Sequence, residues 1–167
     1  IDTKYVLSEM EVIELLNRAA TEHYFVQVID NVRACRYLTL YYDTREREMF
    51  RLHHNRKLTR QKLRTRTYLD SGTTFFESKN KNNRGRTKKR RTEISAEEFG
   101  SFAQNRGAQS LLAEYSHYTA EELMPALTTR FTRITLVNPT LTERTTIDLD
   151  LSYEDMRSGR HDRIEHM

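Results

Sequence analysis

Apolar residues follow two rhythms along this chain. Val12, Leu15, Leu16 and Ala19 recur at the three-to-four spacing of an amphipathic helix, and Ser8 with Glu11 three residues on is a capping-box sequence that predicts its start. A short helix is predicted through Met49, Phe50 and Leu52. A longer helical region opens on a second capping box, Ser95 to Glu98, and is expected to run to about Met124. Pro125 should stop it, with breaks near Gly107 and Tyr118-Thr119. Elsewhere alternation dominates and predicts strands at 4–7, 24–29, 36–42, 60–68, 75–81, after Gly85, at 129–137 and at 144–153. Asp70-Ser-Gly72 and Asn82-Asn-Arg-Gly85 separate the middle strands at hairpin spacing, and Asn138-Pro139 hinges the last two. About eight strands, mostly antiparallel, with three or four helices make this an α+β chain. Its sheet is expected to curl toward a barrel, with the helices packed outside.

Charge changes that picture from a generic sheet to a specific one. Between Arg56 and Arg91 lie 14 of the 28 Lys and Arg residues, against two acids, Asp70 and Glu77. That stretch is +12 by formal charge, whereas the chain as a whole is only +4. In Arg60-Gln-Lys62-Leu-Arg64-Thr-Arg66-Thr-Tyr68 the basic residues take every second position. Alternate side chains of a strand point to opposite faces, so four cations and a tyrosine share one face. Glu77, Lys79 and Lys81 share a face of the next strand, and Lys89 and Arg91 of the one after. Arg133 lies with Phe131 and Thr135, and Arg144 with Thr146, Asp148 and Asp150. Cations on one face of at least five strands suit a polyanion. If those faces line an interior, unpaired charge there is prohibitively costly, and phosphate or a similar anion must share the space. The interleaved Leu63, Tyr68, Phe75 and Phe76, with punctuating turns, set the run apart from a disordered basic tail.

Composition narrows the classes further. At 167 residues and 37% hydrophobic, the chain suits a single domain spanning 1–167. No apolar run approaches the roughly 20 residues of a membrane span, and no signal peptide is recognisable. Cys35 is the only cysteine, which excludes an internal disulfide or a multi-cysteine zinc site and suits a cytoplasmic setting. Five glycines and no Gly-rich phosphate loop argue against P-loop and Rossmann sites. His53 and His54 are adjacent and point apart, so they do not read as a metal site. In Tyr41-Tyr42 one ring is expected in the core and the other at the charged face.

Six segments taken in order resemble the VTC domain: Asp2-Thr-Lys4-Tyr-Val-Leu, Thr39-Leu-Tyr-Tyr-Asp43-Thr44, Lys62-Leu-Arg64-Thr-Arg66-Thr-Tyr68, Phe76-Glu77-Ser-Lys79-Asn-Lys81, Gly85-Arg-Thr-Lys-Lys89-Arg-Arg91 and Arg144-Thr-Thr-Ile-Asp148. That family is the polyphosphate polymerase branch of the CYTH, or triphosphate tunnel metalloenzyme, superfamily. The resemblance implies an antiparallel barrel whose basic tunnel grips triphosphate or polyphosphate. It also implies transfer of the terminal phosphate of ATP to a polyphosphate chain with a divalent metal, manganese or magnesium. It assigns phosphate contacts to Lys4, Lys62, Arg64, Arg66, Lys79, Lys89, Arg91, Arg133 and Arg144, with Arg64, Arg66, Arg133 and Arg144 in the catalytic role. Glu77 is left with two readings, metal ligand or partner of the lining cations. Asp148 and Asp150 are similarly open, with Asp148 the better metal candidate.

Several features depart from the family's pattern. Phe131 stands where the family often has tyrosine. A strand bearing a metal-binding Glu and a final Ser-Lys-Tyr segment are not in the sequence, which opens on Ile1 and stops at Glu165-His-Met167. The barrel is therefore expected to be incomplete and the polypeptide by itself inactive. Two function classes remain: a phosphotransferase or triphosphatase, and a binding module for polyphosphate, nucleotide or nucleic acid. Nucleic acid is the weaker case, because few aromatics interleave the basic strands.

Overall fold

A computed structural model describes residues 3–164; the expectations that rest on Asp2 and on 165–167 lie outside the described residues. Eight strands form one antiparallel sheet: β1 (Phe25–Val26), β2 (Ala34–Asp43), β3 (Arg60–Tyr68), β4 (Thr73–Lys81), β5 (Thr87–Ile94), β6 (Met124–Val137), β7 (Arg144–Asp155) and β8 (His161–Arg163). They are ordered β5-β4-β3-β2-β6-β7-β8, with β1 paired to β6. The sheet is open, as no pairing joins β5 to β8 among the described residues.

All the helices pack on one side of it. Leu40, Tyr42, Leu63, Phe76 and Ile94 point to that side and meet α2 (Glu48–His54), two 3-10 turns at 96–104 and α3 (Arg106–Tyr115) through Met49, Phe102, Ala108, Leu111 and Leu112. A second cluster seats α1 (Glu9–Thr21) by Ala19 on Leu136 and Ile147 of β6 and β7. Polar groups on this side are satisfied locally. The carbonyl of Tyr115, at the end of α3, accepts from Gln61 Nε2 at 2.9 Å and Asn80 Nδ2 at 2.5 Å, which ties the helix terminus to β3 and β4. Both capping boxes form as expected, at Ser8–Glu11 and Ser95–Glu98.

The alternation was a reliable guide where strands are long and half-buried, and less so elsewhere. Residues 4–7 are irregular instead of a strand, with Lys4, Tyr5 and Val6 exposed, and no strand among the described residues pairs with them. The expected strand at 24–29 shrinks to the two residues of β1, because the chain turns back at an isolated Ile29–Val32 bridge. The helical region ends at Tyr115, not Met124. Pro125 sits near the start of β6, opposite Tyr42 where the register with β2 slips, a place that tolerates a missing donor. The expected break near Gly107 is present, with Asn105 extended between the 3-10 turn at 102–104 and α3; Gly107 itself lies in the first turn of α3, where a Cβ would stand 2.7 Å from Thr92 Oγ1, so glycine is what lets α3 approach β5. Short β8 carried no periodicity to find.

Candidate functional site

Directly opposed residues of an antiparallel pair share a face, so the registers fix what lines the helix-free side. Arg64 opposes Glu77 and Tyr41; Arg66 opposes Thr39 and Phe75; Lys62 opposes Lys79, which in turn opposes Lys89. Glu77 opposes Arg91. Across the sheet, Tyr37 opposes Phe131, Arg133 opposes Cys35 and Asp148, and Arg144 opposes Val137. Lys62, Arg64, Arg66, Lys79, Lys89, Arg91, Arg133 and Arg144 therefore occupy one face, as the alternation implied.

That face is curved. A cavity of about 250 Å³ is lined by Lys89 of β5 and by Arg144 and Thr146 of β7, together with Arg66, Arg133, Tyr37 and Tyr68. In a flat sheet β5 and β7 would lie about 24 Å apart, five spacings of about 4.8 Å. Their meeting in one small cavity requires the sheet to curl into a trough, which is the geometry of an unclosed barrel.

Within the trough the cations are held by specific neighbours. Glu77, 1% exposed, receives Arg64 through Nε and Nη2 at 2.7 and 2.6 Å on Oε2, and Lys89 Nζ lies 2.5 Å from Oε1. Burial pushes the pKa of this carboxyl up, but the two cations outweigh it and hold the group below the ordinary carboxylate range. Arg64 also donates to Tyr41 Oη at 3.3 Å. Arg133 grips Asp148 with two bonds of 2.5 and 2.6 Å, a fork that fixes the guanidinium plane. Arg66 is 7% exposed and donates from Nε to Thr39 Oγ1 at 3.0 Å. Tyr37 and Phe131 stack at 5.2 Å, and both Arg66 and Arg133 lie over the pair at 5.1–5.8 Å. Phe131 thus serves as a ring platform, which needs no hydroxyl. Arg91 lies over Phe75 at 4.4 Å.

Crowding is visible in the lysines. Lys62 and Lys89 are both shifted below the ordinary lysine value, chiefly by burial; Lys79, Arg60 and Arg64 add repulsion at Lys62, and Arg64 and Arg66 at Lys89. Tyr41 opposes the shift at Lys62, and Glu77 at Lys89. Lys62, Arg64, Arg66, Lys79, Lys89, Arg91, Arg133 and Arg144 outnumber the carboxylates of this face, Glu77, Asp148 and Glu93 among them, so the described trough carries net positive charge.

Other residues named from the sequence fall elsewhere. Lys4 is exposed in the irregular segment before α1 and has no hydrogen bond or ion pair to the trough among the described residues. Asp150 does not continue the Arg144–Asp148 face. A bulge at Asp150, with φ of 55°, breaks the alternation of β7, and the side chain pairs in the open with Arg163 at 2.5 Å. Arg33, which also lines the cavity, escaped the sequence reading because it sits in the turn before β2, outside any alternating run. Tyr42 is core and Tyr41 borders the trough, as expected.

The residues present do not fit a protein-held divalent cation. Glu77 has Arg64 on one oxygen and Lys89 beside the other, and both oxygens of Asp148 are taken by Arg133. Among the described residues no group of three or more His, Cys, Asp or Glu is placed to hold a metal. No described helix is long and apolar enough to cross a membrane.

No curated protein sequence matches the chain. Solved structures share its fold, two of which follow. A Bacillus halodurans protein described as a "putative adenylate cyclase" is 12% identical with a TM-score of 0.60, over 96% of this chain and 75% of that one. A Vibrio parahaemolyticus protein described in the same words is 16% identical with a TM-score of 0.51, over 86% of this chain and 64% of that one. The sequence model of the VTC domain matches residues 1–166. With its helix-backed, curled antiparallel sheet, the chain belongs to the VTC domain family.

Proposed function

We propose that this domain grips the phosphate chain of a triphosphate or of inorganic polyphosphate along its trough, and that it serves a phosphotransferase that lengthens polyphosphate from ATP. The observation that carries the reading is the row of cations from β3, β4, β5, β6 and β7 on one curved face, of which Glu77 and Asp148 pair Arg64, Lys89 and Arg133. Phosphoryl transfer asks little covalent help of a protein. It needs in-line positioning and stabilisation of charge spread over phosphate oxygens. Arg66 and Arg144 offer planar donor forks for those oxygens, Arg64 and Arg133 the N–H groups that Glu77 and Asp148 leave free, and Lys62, Lys79 and Lys89 act as compact charges. Glu77 and Asp148 hold the forks of Arg64 and Arg133 in place before substrate arrives, which lowers the ordering cost of binding.

Divalent metal belongs in this reading as a companion of the nucleotide, since the lining carboxylates are already committed to cations. The same commitment favours a second reading, a polyphosphate-binding module without turnover. The setting is cytoplasmic, where ATP is supplied and the lone thiol of Cys35 stays reduced.

Mutual repulsion in the empty trough means that anions should stabilise the fold. A ligand that binds only the native state adds about 2.7 kcal/mol at one hundred times its dissociation constant. The protein is expected to melt at a higher temperature in tripolyphosphate than in chloride of matched ionic strength. Equal melting temperatures would count against a trough that holds phosphate chains. Extension of a polyphosphate primer from labelled ATP then separates the transferase from the binding module.

A further inference from the structure

Cys35, the chain's single cysteine, has no part in the reading above, yet it stands in the trough. On β2 it is opposed directly by Arg133, and it lies half-buried in the wall of the 250 Å³ cavity with Arg33, Arg66, Arg144 and Lys89. Among the described residues its thiol reaches only the Val32 carbonyl, at 4.0 Å, so no firm hydrogen bond ties the sulfur down. Of the five cations, Lys89 and Arg133 are committed to Glu77 and Asp148. Arg33, Arg66 and Arg144 have no acidic partner among the described residues. Arg66 is 7% exposed and lines the cavity with Nε held on Thr39, while no described residue takes its two terminal nitrogens. A buried guanidinium with free donors calls for an anion, and that observation is independent of the cysteine beside it.

Thiol–disulfide exchange depends on the thiolate fraction and on how often the disulfide meets the sulfur. The first is unfavourable here: burial, then Asp70 and Asp30, push the Cys35 thiol above its ordinary value. The second is favourable, because a cleft lined by one sign of charge concentrates the opposite sign. We infer that Cys35 is a modification site selective for disulfides that carry carboxylates, and that a glutathionyl group joined to it closes the trough. This rests on the phosphate-chain reading, since the adduct's carboxylates take the same arginines. In the step, the deprotonated Cys35 sulfur attacks one sulfur of glutathione disulfide. The reagent's S–S bond breaks as the new S–S bond forms, and the departing glutathione takes up a proton. Cys35 is oxidised and the departing half reduced, so no further oxidant is needed. In a reducing compartment the thiol is free, and the adduct follows a rise in glutathione disulfide.

Two disulfides test the selectivity: the disulfide of thionitrobenzoate, which is anionic, and dipyridyl disulfide, which is uncharged. Each rate on the reduced protein is divided by the same reagent's rate on an uncharged model thiol. The anionic reagent should come out at least about tenfold faster, the low end for a cleft of one charge. Saturating tripolyphosphate should remove that preference. Glutathione disulfide should add one glutathionyl group per chain by mass and weaken tripolyphosphate binding at least about tenfold by calorimetry, as loss of a charged contact does. Dithiothreitol should reverse both. Cys35→Ser should take no adduct and bind tripolyphosphate as the unmodified protein does. Equal normalised rates, a preference that tripolyphosphate leaves in place, or an adduct that leaves tripolyphosphate affinity unchanged overturn the inference while the trough stands. If the reduced protein binds tripolyphosphate no more tightly than orthophosphate, the trough reading itself has failed and the closure falls with it.

Discussion

Glu77→Ala is expected to cost about 3–5 kcal/mol of folding stability in chloride buffer, the usual consequence of removing one partner from a buried charge pair. The side chain is 1% exposed and is the anion against which both Arg64 and Lys89 are packed. Without it, two cations face each other and their neighbours across β3, β4 and β5. Tripolyphosphate should return more stability to this variant than to the unmodified protein, because it supplies the missing negative charge. Paired urea titrations with and without tripolyphosphate measure both effects. A loss below about 1 kcal/mol would mean that the trough stays hydrated enough to screen its own charges.

The same residue sets an acid limb. Its carboxyl is held below the ordinary range in the folded state, so the unfolded chain takes up the proton first. The stability it contributes is fully present above the ordinary carboxylate range, about pH 4, and is lost as pH falls through the lowered folded value. Glu77→Gln should flatten that part of the stability profile relative to the unmodified protein. Unchanged curvature between the two would assign the acid limb to other carboxylates.

Arg66→Ala is expected to carry the largest loss in phosphate-chain affinity for a single lining residue, about 1.5–3 kcal/mol, the range for a hydrogen bond to a charged group. Its Nε is anchored on Thr39 and its guanidinium rests over Tyr37 and Phe131, while no described residue takes its two terminal nitrogens. It is thus oriented with its donor fork unused. Arg84→Ala and Arg86→Ala, exposed in the β4–β5 hairpin, serve as controls of equal formal charge and should change little. If the hairpin pair costs as much as Arg66, binding is a diffuse field effect instead of a seated one.

How much of this could be read from the chain depended on whether one strand's own alternation carried the information. Arg64, Arg66 and Lys62 announced their shared face because β3 runs nine residues without a slip. The identity of each partner was not legible. That Glu77 would take both Arg64 and Lys89, and that Asp148 would chelate Arg133, depends on register between strands, which a single strand's pattern does not specify. Asp150 shows the limit from the other side: one bulged residue moved it off the face that simple counting gave it. The setting of Cys35 was invisible, since Arg33, Arg66 and Arg144 come from three stretches of chain and share no spacing. Pro125 misled for a related reason: it read as the stop of a helix locally, whereas a register slip between β2 and β6 decided where it sits.

The most direct test of the phosphate-chain reading is calorimetric titration with orthophosphate and tripolyphosphate at one ionic strength. Cations drawn from five strands should engage several phosphates of one chain at once, so tripolyphosphate is expected to bind far more tightly than orthophosphate, by about a hundredfold or more for two additional charged contacts of about 1.5 kcal/mol each. Equal affinities for the two ions would contradict it, leaving a basic surface with no trough built for a chain of phosphates.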